Sequence, residues 1–430
     1  MTETQETGNV IASKSVSYGR KFKSLRKSLA VSIINQAVSS GTNFCIGLYL
    51  VRTLAPVEFG EYGVCFAISL FCCGFCNALF LSQMVVIIPD KKIDDRPKYA
   101  ASILTSIMIF CLILVVFSLI ILVIGKSWLG KYSALVLPIA FSSVAFVLKD
   151  FFVRYSYTAR NEVYALQVNT TVLIFILSLF GLQYLLEDQL TVVRALWYYA
   201  TSNFSGAVAG YILLKLPMTT VRKSRLTEDV RDAWRGGRWA AGTSSVVWMQ
   251  SQAYTYVTAL FLGPVGVGFA NAARMLITPF WILLPAIDQV AIPRLAELRL
   301  AGKPRVTRTE LFITLTSLLM AATYVAVIIF AADFFIPLFV GNNFQNLYPL
   351  IFAWSTVMFF CLISAGAVRV LQVMKDFRSL LIASTISAVT SIAFAIYFIE
   401  LYGVPGAVFG TGVGELIFGL ILWYVILRMK

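Results

Sequence analysis

Histidine is absent from this 430-residue sequence, and charged side chains make up only 13% of it. Without imidazole there is no histidine proton relay, no histidine-ligated metal and no Ser-His-Asp triad. Ordinary soluble domains are about 25% charged, so this composition excludes a water-soluble enzyme. A disordered chain is excluded as well, because 59% of the residues are hydrophobic and disorder requires low hydrophobicity.

Cysteine is also sparse. The seven cysteines all lie inside apolar runs, which argues against the disulfide framework of a small secreted protein. Cys73 and Cys76 have the spacing of half a zinc site, but a second pair is missing. We therefore predict that both pack between helices, and we predict no metal and no other cofactor.

Long apolar runs are what the sequence has in abundance, and a helix needs about 20 apolar residues to cross a bilayer. Twelve runs are visible, at 29–51, 62–88, 99–124, 134–158, 163–186, 195–216, 239–262, 266–292, 310–332, 347–374, 379–399 and 404–427. Backbone polar groups in lipid must be satisfied within the segment, so each run is predicted to be helical. The predicted fold class is an all-α integral membrane protein with about 12 transmembrane helices.

The net charge of +14 is distributed as in a membrane protein, so we predict no nucleic-acid partner. If the N-terminus is cytoplasmic, 26 of the 35 Lys and Arg residues lie in tails and inner connections, and 4 lie in outer connections. Such an excess marks the cytoplasmic side, so both termini are predicted to be cytoplasmic. Residues 1–28 form a basic segment that either lies on the anionic leaflet as a short amphipathic helix or only orients the first span.

The chain divides into two similar halves, 29–216 and 239–430, joined by a cytoplasmic linker at 217–238. The first repeated pattern is L-x-P-V-x-x-G, at Leu54–Gly60 and Leu262–Gly268. The second pairs Val153-Arg154 with Val368-Arg369. Six spans in each half predict two parallel repeats, a six-helix bundle each, with a substrate site between them near the midplane, as in transporters.

Charged residues inside the apolar runs are few, and each is costly unless it faces a cavity or a partner. The embedded cations are Lys149, Arg154, Lys215, Arg274 and Arg369, and the embedded anions are Asp150, Asp288 and Glu415.

Arg274 is the most informative of them, since it lies about eight residues, roughly 12 Å, inside its run. A guanidinium at that depth suits a phosphate or diphosphate, which it binds bidentately. The alternative is an ion pair with Glu415 or Asp150. Lys149 is similarly deep and is a second candidate for the same cavity.

Arg154 and Arg369 lie near inner ends, where they either line the cavity or extend to the headgroups. Asp150 is four residues from Arg154 and could neutralise it. Glu415 either pairs with an embedded cation or titrates as a coupling site.

Several polar residues lie at matching depth in the first span of each half, and they either contact sugars or hydrogen-bond between helices. They are Asn35, Gln36 and Asn43 in the first half, and Gln250 and Gln252 in the second. Aromatic residues nearby, Trp248, Tyr254, Tyr256, Trp281 and Trp354, either stack on sugar rings or pack between helices.

In the order and spacing of its motifs the chain resembles the polysaccharide transporter branch of the multidrug/oligosaccharidyl-lipid/polysaccharide flippase superfamily. The motifs are Asn35-Gln36 with Asn43-Phe44, the segment 51–63, the segment 263–274 that ends in Asn-Ala-Ala-Arg, Pro279, and Pro293-Arg-Leu295. Lipid II flippases are similar around residues 271–274, where an arginine of a cationic cavity meets the diphosphate. That role is carried over to Arg274 alone.

The resemblance implies a flippase in the bacterial inner membrane that moves undecaprenyl-diphosphate-linked oligosaccharide to the outer leaflet by alternating access. Arg274, with Lys149 and Arg369, would neutralise the diphosphate without covalent chemistry. The partners implied are the lipid-linked cargo, membrane lipids, and a polysaccharide polymerase with its chain-length and export machinery. The alternatives are a multidrug antiporter of the same superfamily, or a membrane-embedded polysaccharide polymerase or ligase.

Overall fold

The computed structural model describes residues 30–186, 189–217, 223–298, 303–341, 343–374 and 376–429, which are almost entirely helical. The long helices of this part are α1 (30–53), α2 (Pro56–Cys76, continued by Asn77–Leu81 and Ser82–Ile87), α3 (Arg96–Leu129), α4 (Ser133–Thr158), α5 (Glu162–Leu185), α6 (Val192–Leu214), α7 (Lys223–Ser251), α8 (Ala253–Leu298), α9 (Lys303–Phe330), α10 (Tyr348–Met374), α11 (Phe377–Tyr402) and α12 (Val404–Arg428). The predicted all-α membrane fold of two six-helix repeats is confirmed.

Length and composition alone identify eight membrane-spanning segments among the described residues, and one of them, Ile93–Thr158, contains both α3 and α4. The remaining crossings are α1, α6 and α7. The helix α6 has low hydropathy because it carries a run of small polar residues, of which Ser202 and Asn203 are buried. Its polar face is turned into the protein and its apolar face toward lipid, as expected for a helix next to a polar interior.

Residues 30 and 429 lie at one end of the bundle, termed here the proximal end, and the connection from α1 to α2 lies at the distal end. The distribution of Lys and Arg predicts that the proximal end faces the cytoplasm. The basic segment at 1–28 lies outside the described residues.

The repeated L-x-P-V-x-x-G motif closes the distal end. A Cβ atom on Gly60 would overlap the carbonyl of Pro264, and one on Gly268 would overlap the carbonyl of Pro56. Each motif therefore provides both the small residue and the carbonyl that the other meets. Contact this close requires glycine, so the repeated glycines hold α2 against α8 as a reciprocal seal.

The helix α8 consists of two arms, residues 253–262 and 264–298, that meet at Gly263. Gly263 has φ 72° and ψ −175°, a conformation that only glycine adopts readily. Tyr254 and Arg274 are 20 residues apart, about 30 Å along a straight helix, yet their side chains are hydrogen-bonded. The arms therefore fold back on each other, and the first arm completes the crossing that α7 begins.

The apolar core is continuous at the distal end and divided at the proximal end. A single distal cluster joins both halves and includes Leu54, Phe59, Ala273 and Trp354. At the proximal end, one cluster belongs mainly to α2, α3 and α4, and a separate cluster surrounds Val370 in the second half. The two halves thus share one cluster distally, whereas proximally each half has its own cluster, and α7 adds Ala233 and Ala241 to that of the first half.

The predicted linker at 217–238 is helical from residue 223 onward and continues into the membrane as α7. Ala233, Gly237 and Ala241 recur every fourth residue, which allows a close approach between helices. A Cβ on Gly237 would overlap the carbonyl of Leu79, which lies in the π-helical turn of α2. The small residues explain why so polar a stretch packs as a helix against the first half.

Candidate substrate cavity

A cavity of about 560 Å³ lies between the two halves, below the distal seal. Residues of α1, α2, α6, α7 and both arms of α8 line it, among them Asn43, Tyr62, Trp248, Gln252, Arg274 and Trp281. Ligand pockets in proteins typically measure about 300–1,000 Å³. The predicted location of a site between the repeats corresponds to this cavity.

Arg274 enters the cavity from the second arm of α8, where Ala272 and Ala273 are fully buried on the opposite side of the helix. Its Nη1 donates a hydrogen bond of 2.9 Å to the hydroxyl of Tyr254. That hydroxyl in turn donates to Oδ1 of Asn271 at 2.9 Å. The chain of donors fixes the guanidinium without neutralising it.

The second support of Arg274 is aromatic. The guanidinium carbon lies 5.2 Å from the centre of the Trp354 ring, a cation–π contact. The indole of Trp354 is fixed by donating to the carbonyl of Ala270 at 2.8 Å. No carboxylate of the described residues forms an ion pair with Arg274, so the alternative of pairing with Glu415 or Asp150 is wrong.

Lys149 is also buried, with 7% of its surface exposed, but it does not line the central cavity. It lies in a small adjoining pocket, termed here the side pocket, with Ser39, Thr42, Asn43, Phe146, Asn169, Tyr199 and Asn203. Its ammonium lies 4.5 Å from the centre of the Phe146 ring. Asn43 and Tyr199 line both spaces, so the side pocket adjoins the cavity from the first half.

Arg369 is not in the cavity, and neither the predicted cavity role nor headgroup contact fits its position. Only 2% of its surface is exposed. Its Nη2 lies 2.7 Å from Glu310 and its Nη1 2.8 Å from Asp288. Two carboxylates already satisfy this guanidinium, so it is a structural ion pair of the second half.

Arg154 and Asp150 form the predicted pair, with 2.9 Å between Nε and Oδ2. Asp150 also accepts a hydrogen bond from Asn77 at 3.4 Å. Neither residue lines the central cavity, and the pair connects α4 to the π-helical turn of α2.

Glu415 has neutral partners in place of the predicted cation. Its Oε1 accepts from Gln250 at 2.8 Å and its Oε2 from Ser364 at 3.0 Å. Gln250 is thereby held inside the second half and is not available to a substrate. Gln252, by contrast, lines the cavity.

The polar residues of α1 serve two purposes. Asn35 donates to Tyr157 at 2.7 Å and accepts from Asn169 at 2.8 Å, so it joins helices of the first half. Gln36 donates to Ser40 at 2.9 Å, and Asn43 lies two turns farther along the same face. Both Gln36 and Asn43 are exposed, so this face of α1 continues from the cavity toward the proximal end.

Sequence reasoning missed four residues that matter here. Glu310 stood at the first position of an apolar run and was not counted as embedded, although none of its surface is exposed. Asn169, Asn203 and Tyr199 lie within the fifth and sixth runs. An amide in the middle of an apolar run was the signal that could have identified two of them.

Comparisons with known proteins agree with this architecture. The family described as "Polysaccharide biosynthesis protein" matches residues 25–299, more than half of the chain. A curated protein of Escherichia coli (strain K12), named "Putative O-antigen transporter", is 24% identical over 371 residues, which cover 83% of this chain and 87% of that protein.

Solved structures show the same fold. The lipid II flippase MurJ in an inward closed conformation has a TM-score of 0.73 at 12% identity, and the match covers 94% of this chain and 88% of that one. An inward-facing multidrug resistance MATE family transporter of the MOP superfamily has a TM-score of 0.71 at 16% identity, covering 91% and 93%. The resemblance expected from the motifs is confirmed.

Proposed function

Because this chain belongs to the polysaccharide biosynthesis protein family, we propose that it flips undecaprenyl-diphosphate-linked oligosaccharide from the inner to the outer leaflet of the bacterial inner membrane. The observation that carries the proposal is Arg274, a fixed guanidinium in the cavity between the repeats that has no carboxylate partner among the described residues. Arg274 is partly buried, and a cation that has lost part of its solvation attracts an anion more strongly than one in bulk water. The diphosphate of the cargo supplies that anion.

The remaining donors of Arg274 suit the diphosphate. One of its five N–H groups is directed to Tyr254, which leaves the others for a bidentate contact with phosphate oxygens. The exposed polar face of α1, with Gln36 and Asn43, gives the sugars a hydrated route from the proximal end. The prenyl tail stays in the bilayer, because burying it elsewhere gains nothing over lipid.

Alternating access follows from the divided core. The seal formed by Gly60 and Gly268 closes the distal end, and proximally the apolar clusters of the two halves are separate, with α7 packed against the first half. In the proposed cycle the bundles 29–216 and 239–430 rock about the cavity, so that the distal seal opens while the proximal ends approach. The proximal end would face the cytoplasm, and the cargo would pass on to a polysaccharide polymerase and export machinery.

A multidrug antiporter is the second candidate, since the fold is also that of MATE transporters. Such an antiporter would need an acidic residue in the first or seventh span for its coupling cation. Among the described residues, those that line the cavity include one arginine and no carboxylate. The positive charge of the cavity lining therefore favours an anionic cargo.

The decisive experiment is reconstitution of Arg274→Ala in liposomes with a fluorescent polyprenyl-diphosphate-linked disaccharide. Wild type should move the lipid between leaflets, and Arg274→Ala should lose at least about 100-fold of the rate, as expected when a buried anion loses its partner. Arg274→Lys should keep part of the rate, because a point charge remains without the fork. Lys215→Ala removes an exposed cation from the end of α6 and is the matched control. Normal flipping by Arg274→Ala at wild-type protein levels would refute the assignment.

A further inference from the structure

The side pocket around Lys149 is built as an anion site. Only 7% of the surface of Lys149 is exposed. Among the described residues, its ammonium contacts the ring face of Phe146. None of the described carboxylates forms a hydrogen bond or an ion pair with it. A buried ammonium without a counter-ion is costly, and such groups are normally paired.

The acid next to it in sequence is engaged elsewhere. Asp150 holds Arg154 at 2.9 Å and accepts from Asn77 at 3.4 Å. Consecutive residues of a helix point about 100° apart, so Asp150 faces α2 while Lys149 faces the side pocket. The charge of Lys149 is thus directed toward the substrate pathway.

The other groups of the side pocket are also suited to an anion. The hydroxyl of Tyr199 is buried and has no hydrogen-bond partner within the part of the chain that the structure describes. The side-chain amides of Asn169 and Asn203 also lie in this pocket, each with one hydrogen donated within the first half, to Asn35 and to the backbone carbonyl of Tyr199. The described lining includes no carboxylate. A buried hydroxyl without a partner is unfavourable, so this one is positioned to donate to a ligand beside the ammonium.

The size of the side pocket limits what enters it. Its volume is about 10 Å³, room for roughly one water molecule or one oxygen of a larger group. A sugar ring does not fit, but a carboxylate carried by a sugar in the adjoining cavity can insert one oxygen. Asn43, Ile46 and Tyr199 line both spaces and form the boundary between them.

From these observations we propose that the side pocket is a second anion subsite, in which Lys149 and Tyr199 bind the carboxylate of an acidic sugar in the cargo. The proposal rests on the proposed flippase function and adds a substrate class to it. Arg274 binds the diphosphate that every cargo carries, and Lys149 selects cargo whose sugars are acidic.

The test compares two cargos that differ only in the sugar. Polyprenyl-diphosphate-linked disaccharides that end in glucuronic acid or in glucose are flipped in proteoliposomes by wild type and by Lys149→Met. The ratio of the acidic to the neutral rate should fall at least about tenfold in Lys149→Met, which corresponds to about 1.4 kcal/mol. Lys149→Arg should retain part of the ratio, and Lys215→Met, which removes an exposed lysine, should leave it unchanged.

Tyr199→Phe keeps the ring and removes only the hydroxyl. It should lower the same ratio about threefold or more, and it decides the question if Lys149→Met fails to accumulate. An unchanged ratio in both variants would refute the subsite. Equal loss of both cargos in Lys149→Met would also refute it, because the ligand would then be the shared diphosphate. Flipping of neither cargo by wild type would instead refute the flippase function itself.

Discussion

The two halves carry ionisable groups of opposite sign at a repeat-related pair of helices, on the first helix of the pair in one half and on the second in the other. The offset of 215 between Val153-Arg154 and Val368-Arg369 places Ser364 at the position of Lys149. The offset of 212 between the first residues of α6 and α12, 192 and 404, places Glu415 at the position of Asn203. In the first half this site holds a cation beside the cavity, and in the second it holds an anion bound by Gln250 and Ser364.

The same contrast holds for the repeat-related arginines. Arg369 is buried between Glu310 and Asp288, whereas Arg154 has 38% of its side chain exposed and pairs with one acid. Apart from Arg274, the embedded charged side chains of the second half that the structure describes therefore find their partners within that half. The first half leaves Lys149 directed toward the substrate pathway, which indicates that the halves share an architecture while only one of them adds a second charged contact.

The largest effect should come from breaking the charge cluster of the second half. Arg369→Ala leaves Glu310, with no exposed surface, as an uncompensated buried charge, and losing one partner of a buried pair costs about 3–5 kcal/mol. The variant should accumulate poorly in membranes, as measured by fluorescence-detected size exclusion of a tagged protein. Arg369→Met combined with Glu310→Gln should recover much of the level, because the buried charge is then removed. Wild-type accumulation of Arg369→Ala would contradict the assignment.

The next effect concerns the one feature the halves use identically. Gly60→Ala and Gly268→Ala each place a methyl group on a backbone carbonyl of the other half, which a carbonyl cannot avoid by rotation. Overpacking costs about 1–3 kcal/mol, and in these variants it destabilises the conformation in which the distal end is closed. Both variants should lose transport to a similar degree, because the contact is reciprocal.

Gly41 provides the control for the seal, since nothing lies within 4 Å of a Cβ placed there. Gly41→Ala should flip cargo at the wild-type rate. Unequal losses in Gly60→Ala and Gly268→Ala would show that the seal is not a symmetric contact between the repeats.

Sequence alone predicted the fold, identified the repeated motif that forms the seal, and gave the depth of Arg274 within its span. Each of these features is encoded within a single segment of the chain. Span count follows from apolar runs, and depth follows from position within a run. What remained out of reach were contacts between distant segments. Arg369 is paired because of Glu310, which is 59 residues away in the sequence, and no local pattern encodes that pairing. The contrast between Lys149 in one half and Glu415 in the other is visible only once the repeat-related helices are paired.

A moderate effect is expected from Glu415→Gln. The variant removes the charge that Gln250 and Ser364 bind, and hydrogen bonds to charged groups contribute about 1.5–3 kcal/mol. The thermal unfolding temperature should therefore fall while the protein still accumulates. Flipping should keep its response to an imposed pH gradient if the carboxylate is structural. Loss of that response in a stable variant would instead identify Glu415 as a titrating coupling site and make the second-half cluster functional.

The smallest effect should come from Arg154→Ala, the repeat-related counterpart of Arg369→Ala. Arg154 and Asp150 have 38% and 19% of their side chains exposed. Water and lipid headgroups can therefore solvate Asp150 once Arg154 has been removed. Exposed ion pairs of this kind contribute no more than about 1 kcal/mol, and Asp150 keeps its contact with Asn77. Membrane levels and unfolding temperature should stay close to wild type, in contrast to Arg369→Ala measured beside it. If the two variants destabilised the protein equally, the contrast between an internally satisfied second half and a solvated pair in the first would be wrong, and Arg154 would have to be counted with Lys149 among the buried charges of the first half.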